Sequence, residues 1–294
     1  MSDFVQQQHS ICSFNSSNSW VILSPIEQSI KCKIEAVGTP LKDWNIQINY
    51  GIKTGLNDAF IISAEKRNEI LAHCKDADER QRTEELIRPI LRGRDIKRYG
   101  YVDNGLYLIN THNGIRGRIP RIKIEDYPAI KAHLDQYWEN ISTRADKGDT
   151  PYNLRNCAYL EDFLKPKIMY PNMTKYIPFY FDKNGFYQND KSFMITGDNV
   201  AFLTAFLNSS IFKFCFLDNF PELQGGTREL RKIFFDKIPV LQVSKEINDA
   251  FIPKINDIQK DYTIQKAMEI DSMLFDLYNL TEEERETIGF IEIT

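Results

Sequence analysis

Long apolar runs are missing from this chain. No stretch of 18 or more consecutive apolar residues occurs in its 294 positions, so no membrane-spanning helix is expected. Residues 1–19 are polar, rich in Ser, Asn and Gln, and lack the apolar centre of a secretory signal. They read as a flexible lead-in. Histidine is scarce, with residues only at 9, 73, 112 and 133, and no Ser/His/Asp grouping can be built from them. Cysteine is scarce as well. Cys12, Cys32, Cys74, Cys157 and Cys215 are scattered, odd in number, and include no Cys-x-x-Cys pair. That argues against a structural zinc and for a reducing, cytoplasmic setting. Adjacent His73 and Cys74 suit a metal poorly. No repeat of fixed period is visible.

What is present is enough apolar material for a real core: 42% hydrophobic residues and 12% aromatics. The length suits one large domain or two ordinary ones. The net charge is only −4, but it is unevenly laid out. Residues 88–123 carry nine Lys/Arg against two acids, a balance of +7, while residues 244–294 carry five against twelve, a balance of −7. Such asymmetry fits one face on nucleic acid and an acidic end elsewhere.

Two stretches dominate the basic part. Residues 89–99 read Pro-Ile-Leu-Arg-Gly-Arg-Asp-Ile-Lys-Arg-Tyr, with four cations among eleven residues. Residues 51–60 read Gly-Ile-Lys-Thr-Gly-Leu-Asn-Asp-Ala-Phe, a glycine-rich turn with a lysine and a threonine at its tip. Guanidinium forks, an ammonium, a hydroxyl and freed backbone N–H groups suit a phosphate backbone.

Periodicity and caps place these stretches on elements. A helix is predicted from Ser24-Pro25, with Ile26, Ile30 and Ile34 on one side, closed by a Gly-Thr-Pro turn at 38–40. Alternation predicts a strand over 44–50 and a return strand at 60–62. Ser63 caps a helix to about His73. Residues 75–82 read as a loop or short helix, and 84–88 as a helix that Pro89 ends. Residues 101–109 read as a hairpin turning at 103–105, and 125–141 as one helix with Ile130, Leu134, Tyr137 and Trp138 on a stripe. The runs at 167–170, 177–181, 186–188 and 192–195 read as an antiparallel meander. The aromatics of 199–216 belong to a core helix. A strand at 240–243 precedes helices over 244–262, with Pro253 expected to kink or split it, and 264–278, stopped at Asn279. A capping box at 281–284 opens a last short helix.

Taken in order, the runs at 51–60 and 89–99, Lys-Ile-x-Tyr-Pro at 167–171, Leu-Asn-Ser at 207–209 and Lys-Ile-Pro at 237–239 resemble the TaqI-like C-terminal specificity (target-recognition) domain of restriction–modification enzymes. The resemblance runs from about Trp20 to the C-terminus. It implies an α+β fold: a small, mostly antiparallel sheet with DNA-facing loops, plus packed C-terminal helices. The expected division is a lead at 1–19, a target-recognition domain over 20–243 and a helical segment over 244–294. In this family the domain follows an adenine-specific methyltransferase domain in fused type IIG enzymes. The implied partners are double-stranded DNA and a methyltransferase domain or subunit, with no membrane. S-adenosylmethionine and Mg2+ are expected only for the missing catalytic part. None of the twelve prolines here is followed by another, and no Phe-x-Gly-x-Gly follows a strand. The Pro-Pro-aromatic loop of such methyltransferases is therefore absent, and no catalytic, cofactor or metal residue is assigned to this chain.

Asp95-Ile96-Lys97, with Glu84 and Glu85 upstream, has the outline of a metal-dependent nuclease triplet. Its flanking arginines favour Asp95 as a structural partner in the turn. For phosphate contact the candidates are Lys53, Thr54, Arg92, Arg94, Lys97, Arg98, Arg228, Arg231 and Lys232. Glycines 51, 55, 93, 225 and 226 are expected to let backbone approach DNA. Base readout is assigned to residues 113–121, with Arg116, Arg118 and Arg121, to 144–155, with Arg144 and Arg155, and to 172–176, with Lys175. So many cations predict a loss of duplex affinity on the order of 10³-fold between low and moderate salt. The alternative is a protein-interaction or docking module without DNA binding of its own. Nothing resembles an RNA-binding signature.

Overall fold

The computed structural model describes residues 23–290. The lead-in expected at 1–19 lies outside them. Ser24 accepts the Glu27 N–H while the Glu27 carboxylate takes the Ser24 N–H, and this capping box with Pro25 opens α1 (Pro25–Val37). Residues 38–40, expected as a turn, form β1 (Gly38–Pro40) instead, paired antiparallel with Pro239–Leu241. That partner lies near the far end of the chain, so no local signal announces the strand.

After β2 (Ile46–Tyr50) the chain does not turn back. It passes through a helical turn, Asn57–Phe60, into β3 (Ile61–Ser63), which belongs to a different sheet. Ser63 caps α2 (Ala64–Ala72) and Asp76 caps α3 (Ala77–Leu86). The charged stretch at 75–82 is thus a packed helix. Its Glu79 is buried and accepts the N–H groups of Lys75 and Ala129 at 2.9 and 3.0 Å. β4 (Ile87–Leu91) replaces the helix expected at 84–88 from Ile87 onward, so the basic motif follows a strand. Pro89 is tolerated where β4 passes from one neighbour to the next: residues 87–89 pair with Tyr107, Leu108 and Ile109, and Ile90 and Leu91 with Tyr187 and Gln188.

β5 (Ile96–Lys97) pairs with β6 (Gly100–Tyr101), whereas β7 (Leu106–Ile109) joins β3 and β4, so no hairpin forms over 101–109. The helix expected at 125–141 is two, α4 (Pro128–Asp135) and α5 (Trp138–Thr143). The break turns Trp138 outward, 46% exposed, while Ile130, Leu134 and Ile141 stay buried. β8 (Lys167–Pro171), β9 (Met173–Thr174), β10 (Tyr180–Asp182), β11 (Tyr187–Gln188) and β12 (Ser192–Gly197) follow. They do not make a meander. One antiparallel sheet has the order β10-β8-β12-β2, and β11 leaves it to pair parallel with β4 in the second sheet, β11-β4-β7-β3.

The apolar run at 199–216 is two helices, α6 (Val200–Leu207) and α7 (Ser210–Phe216), buried as core. After β13 (Arg228–Glu229) and β14 (Pro239–Leu241) come α8 (Lys245–Lys260), continuous through Pro253, α9 (Ile264–Leu277) and α10 (Glu282–Ile288). Asn279 takes the left-handed conformation, φ 52°, that ends α9. The acidic C-terminal helices share the first core with α1, α6, α7 and one face of the first sheet. Its rings, such as Phe212, Phe220 and Phe235, meet at tilted or edge contacts, each adding about 1 kcal/mol beyond area burial. The second core lies between the second sheet and α2–α5. The α+β architecture with small, mostly antiparallel sheets and packed C-terminal helices is therefore as expected.

Candidate nucleic-acid interface

Both basic stretches meet on residues 188–192, the seam between the two sheets. The Gly51 N–H donates to Ser192 O at 2.9 Å and the Ile52 N–H to Gln188 O at 2.7 Å. The Gly93 N–H donates to Asn189 Oδ1 at 3.2 Å. A Cβ on Gly51 would sit 2.2 Å from Asn189 O, and one on Gly93 2.4 Å from Lys191 O. These glycines thus bring backbone against backbone inside the fold, which corrects their expected role at DNA. A Cβ on Gly55 would lie 3.1 Å from Asp146, whereas one on Gly225 or Gly226, both at φ +77°, would meet no described atom within 4 Å.

The motif turn is braced from within. Asp95, 4% exposed, accepts the Arg92 N–H and Nε, each at 2.9 Å, Arg92 Nη2 at 3.0 Å and Asn104 Nδ2 at 3.0 Å. Arg92 is therefore a bidentate strut rather than a free phosphate contact, and Asp95 is the structural partner its neighbours suggested. Lys97 Nζ turns to Arg94 O at 2.9 Å, away from a nuclease-like arrangement. Among the described residues no three His, Cys, Asp or Glu are grouped to hold a metal. Arg98 is also committed: Nη1 donates to Tyr262 Oη and Nη2 to Asn208 O, each at 2.7 Å, tying the turn to α6 and to the loop before α9.

Around this turn the chain segments are laced together. The Asn172 N–H donates to Lys191 O at 2.9 Å, and Leu230 N–H to Asn172 O at 2.8 Å. The result is one rim made of residues 92–98, 172–178, 189–192 and 228–232. On it Arg94 and Lys175 are exposed and have no side-chain partner among the described residues, and Lys97 reaches only the carbonyl of its own turn. Arg228 is held by Asp218 at 2.9 Å, Glu222 at 3.2 Å and Phe220 O at 2.7 Å. Arg231 pairs with Glu229 and Lys232 with Asp236, at 2.8 and 2.7 Å, both still exposed.

A second group of loops, residues 51–57, 111–123 and 144–157, is laced together through Arg144, Asp146 and Asn153. Two residues expected to touch DNA are inside it. Thr54 is 2% exposed and donates to Asn57 Oδ1 at 2.6 Å. Arg144 is 7% exposed and donates to the carbonyls of Thr54, Asp146, Pro151 and Asn153. Its guanidinium lies 4.4 Å from the Phe60 ring centre, and burial pulls its pKa down to about 10. Arg144 is the hub that organises these loops. Lys53 and Arg155 both pair with Asp146, at 2.9 and 3.1 Å. The Lys53 hydrogen bond leads in holding the Asp146 carboxyl below its usual range. Arg121 pairs with Asp149 at 3.1 Å and Arg118 with Glu161. Arg116 alone of this group's candidates is exposed without a partner among the described residues.

Three residues that organise these loops had no sequence signal. Asn189 joins the two motifs, Asn153 supports the 111–123 loop through Ile122 O at 3.0 Å, and Tyr262 holds Arg98. Each is a polar residue in a loop, with partners remote in sequence.

The chain matches the TaqI-like C-terminal specificity domain over residues 88–240, which include the motif turn, the 172–178 loop and the 228–232 loop. It belongs to that family of restriction–modification specificity domains. Among solved structures it is similar to the type IIL restriction–modification enzyme MmeI in complex with DNA, at 12% identity and a TM-score of 0.58 over 85% of this chain and 35% of that one. The type IIG restriction endonuclease BpuSI aligns at 12% identity and a TM-score of 0.49, over 87% of this chain and 33% of that one. The chain thus spans about a third of MmeI, and what the two share at that identity is the fold. No curated protein matches in sequence.

Proposed function

We propose that this chain recognises duplex DNA as the specificity part of a restriction–modification enzyme, with the rim around residues 92–98 on the phosphates. One observation carries the reading. Arg94, Lys97 and Lys175 are exposed, free of acidic partners among the described residues, and sit on segments laced to one another beside the motif turn. MmeI, whose fold is shared, was solved on DNA. An adenine-specific methyltransferase domain or subunit would supply S-adenosylmethionine chemistry, and an endonuclease, where one is fused to it, the Mg2+-dependent cleavage; no residue of this chain is assigned to either. Base readout falls to Arg116 and to the 172–176 loop.

Internal pairing lowers the expected salt effect. Three unpaired cations on three phosphates give a slope of about −2.7 in log affinity against log salt, or roughly a 40-fold loss over a fourfold salt increase. Fluorescence anisotropy with a labelled duplex measures it. Binding that ignores salt, or none at all, sinks the reading.

A further inference from the structure

Beside the motif turn lies a cavity of about 260 Å³ whose lining includes Ile96, Lys97, Arg98, Tyr176, Pro178 and Tyr262. Its two tyrosines, Tyr176 and Tyr262, are 56% and 42% exposed as residues. Both are held in place. Tyr262 Oη accepts Arg98 Nη1 at 2.7 Å, with that guanidinium 5.6 Å from its ring centre. Thr174 Oγ1 accepts the Tyr176 N–H at 3.0 Å and donates to Tyr176 O at 2.7 Å, fixing the turn that presents the ring.

The charge around the cavity is one-sided. Lys97 has donors to spare, and Arg98 Nε is buried without a partner among the described residues. Lys213, on α7, has no hydrogen-bond or ion-pair partner among the described residues; burial first, then the charge of Arg98, lowers its pKa. The nearby acids are already engaged. Asp271 is buried and accepts the Ser210 N–H and hydroxyl at 3.0 and 2.5 Å, and Asp261 faces Lys266 at 3.8 Å.

We propose that this cavity holds one nucleotide displaced from the DNA stack, its base against Tyr176 and Tyr262 and its phosphate on Lys97, with the Arg98 guanidinium adding positive charge from behind Tyr262. A ring and an anion on one ligand match both halves of the site, whereas an aromatic side chain of a protein partner would leave the cations unanswered. Stacking of this kind tolerates any base, because every base has a π-face. The energetic condition is that the displaced base be unpaired or easily unpaired. The proposal rests on the DNA-binding reading above.

The test compares three duplexes of about 20 base pairs at low salt, using the full chain: fully paired, with one extrahelical thymidine, and with one extrahelical abasic residue. The thymidine duplex is expected to bind about tenfold tighter than the paired one, and the abasic duplex to lose that gain. Tyr176→Ala is expected to abolish the ratio of thymidine-duplex to paired-duplex affinity and Tyr176→Phe to keep it, each with an unaltered melting temperature. Equal affinity for all three duplexes, with salt-dependent binding intact, overturns the cavity assignment alone. Absence of binding to any duplex overturns both proposals. A Tyr176→Ala chain that loses a protein partner yet keeps the thymidine preference assigns the rings to that protein and overturns the nucleotide.

Discussion

The rim around residues 92–98 and the loops at 51–57, 111–123 and 144–157 look alike in sequence, each mixing glycines, arginines and lysines. Folded, they differ in what their cations already touch. In the second group Lys53, Arg118, Arg121 and Arg155 face Asp146, Asp149 or Glu161, and Arg144 is sunk among carbonyls. On the rim Arg228, Arg231 and Lys232 are paired too, but Arg94, Lys97 and Lys175 have no acidic partner among the described residues, against Arg116 alone in the second group. A count of basic residues therefore overstates the charge offered to a polyanion. The exposed pairs are held weakly, by about 0–1 kcal/mol each, so a phosphate competes with the acid for them at reduced gain. Arg144 is different in kind, because removing it would take the guanidinium donors from four loop carbonyls, of which the bonds to Thr54 and Asn153 are buried.

The largest effect tests whether the seam joining the two regions is as rigid as the backbone contacts imply. Gly93→Ala and Gly51→Ala each drive a Cβ into a carbonyl oxygen, at 2.4 and 2.2 Å, with no flexible side chain to yield. A loss of about 3 kcal/mol or more is expected, read as a fall in the urea midpoint or as insoluble protein. An unchanged midpoint would show that the two motifs are not locked together. Gly225→Ala and Gly226→Ala meet no atom and are expected to cost about 1 kcal/mol, from backbone conformation alone.

Next in size is the difference in available charge. Arg94→Ala with Lys175→Ala is expected to lower duplex affinity about tenfold at low salt and to flatten the salt slope by about 1.8. Arg118→Ala with Arg121→Ala, which removes the same formal charge, is expected to cost less than about threefold. Unfolding free energies should stay within about 0.5 kcal/mol for both. Equal losses would erase the distinction between the regions.

The smallest effect concerns acid sensitivity on the side of the second core. His133 is buried, with Nε2 at 3.0 Å from Ala59 O and Nδ1 unpartnered, and His112 sits in the 111–123 segment. Burial lowers the pKa of both from 6.5. Below that value the unfolded chain binds protons that the folded one resists. Their contribution to stability is thus complete above pH 6.5 and declines as pH falls through the lowered folded values. Melting temperature measured against pH is expected to drop below 6.5, less steeply in His133→Gln; parallel curves would contradict this.

How much was legible beforehand follows from the range of the interactions. Ser24, Ser63, Ser244 and Thr281 cap helices where their spacing indicated, because a cap is settled within three or four residues. The aromatic content of 199–216 indicated core, since rings on all sides of a helix need burial. β1 was read as a turn and β11 as part of a meander because each takes its pairing from a strand far along the chain. Arg92 and Arg144 were read as exposed for a related reason: a guanidinium on phosphate and one on a buried carboxylate or carbonyl share the same sequence signature.

By itself, then, the order of residues determined the family, the α+β class, the helix caps and the stretches that matter, since all depend on local spacing or on motif order. Tertiary structure alone decided which cations remain free, why Gly51 and Gly93 are needed, and that Tyr176 and Tyr262 border one cavity. Those outcomes depend on burial and on neighbours scores of residues away, where Coulomb and hydrogen-bond energies are set by which acid or carbonyl folding brings within reach.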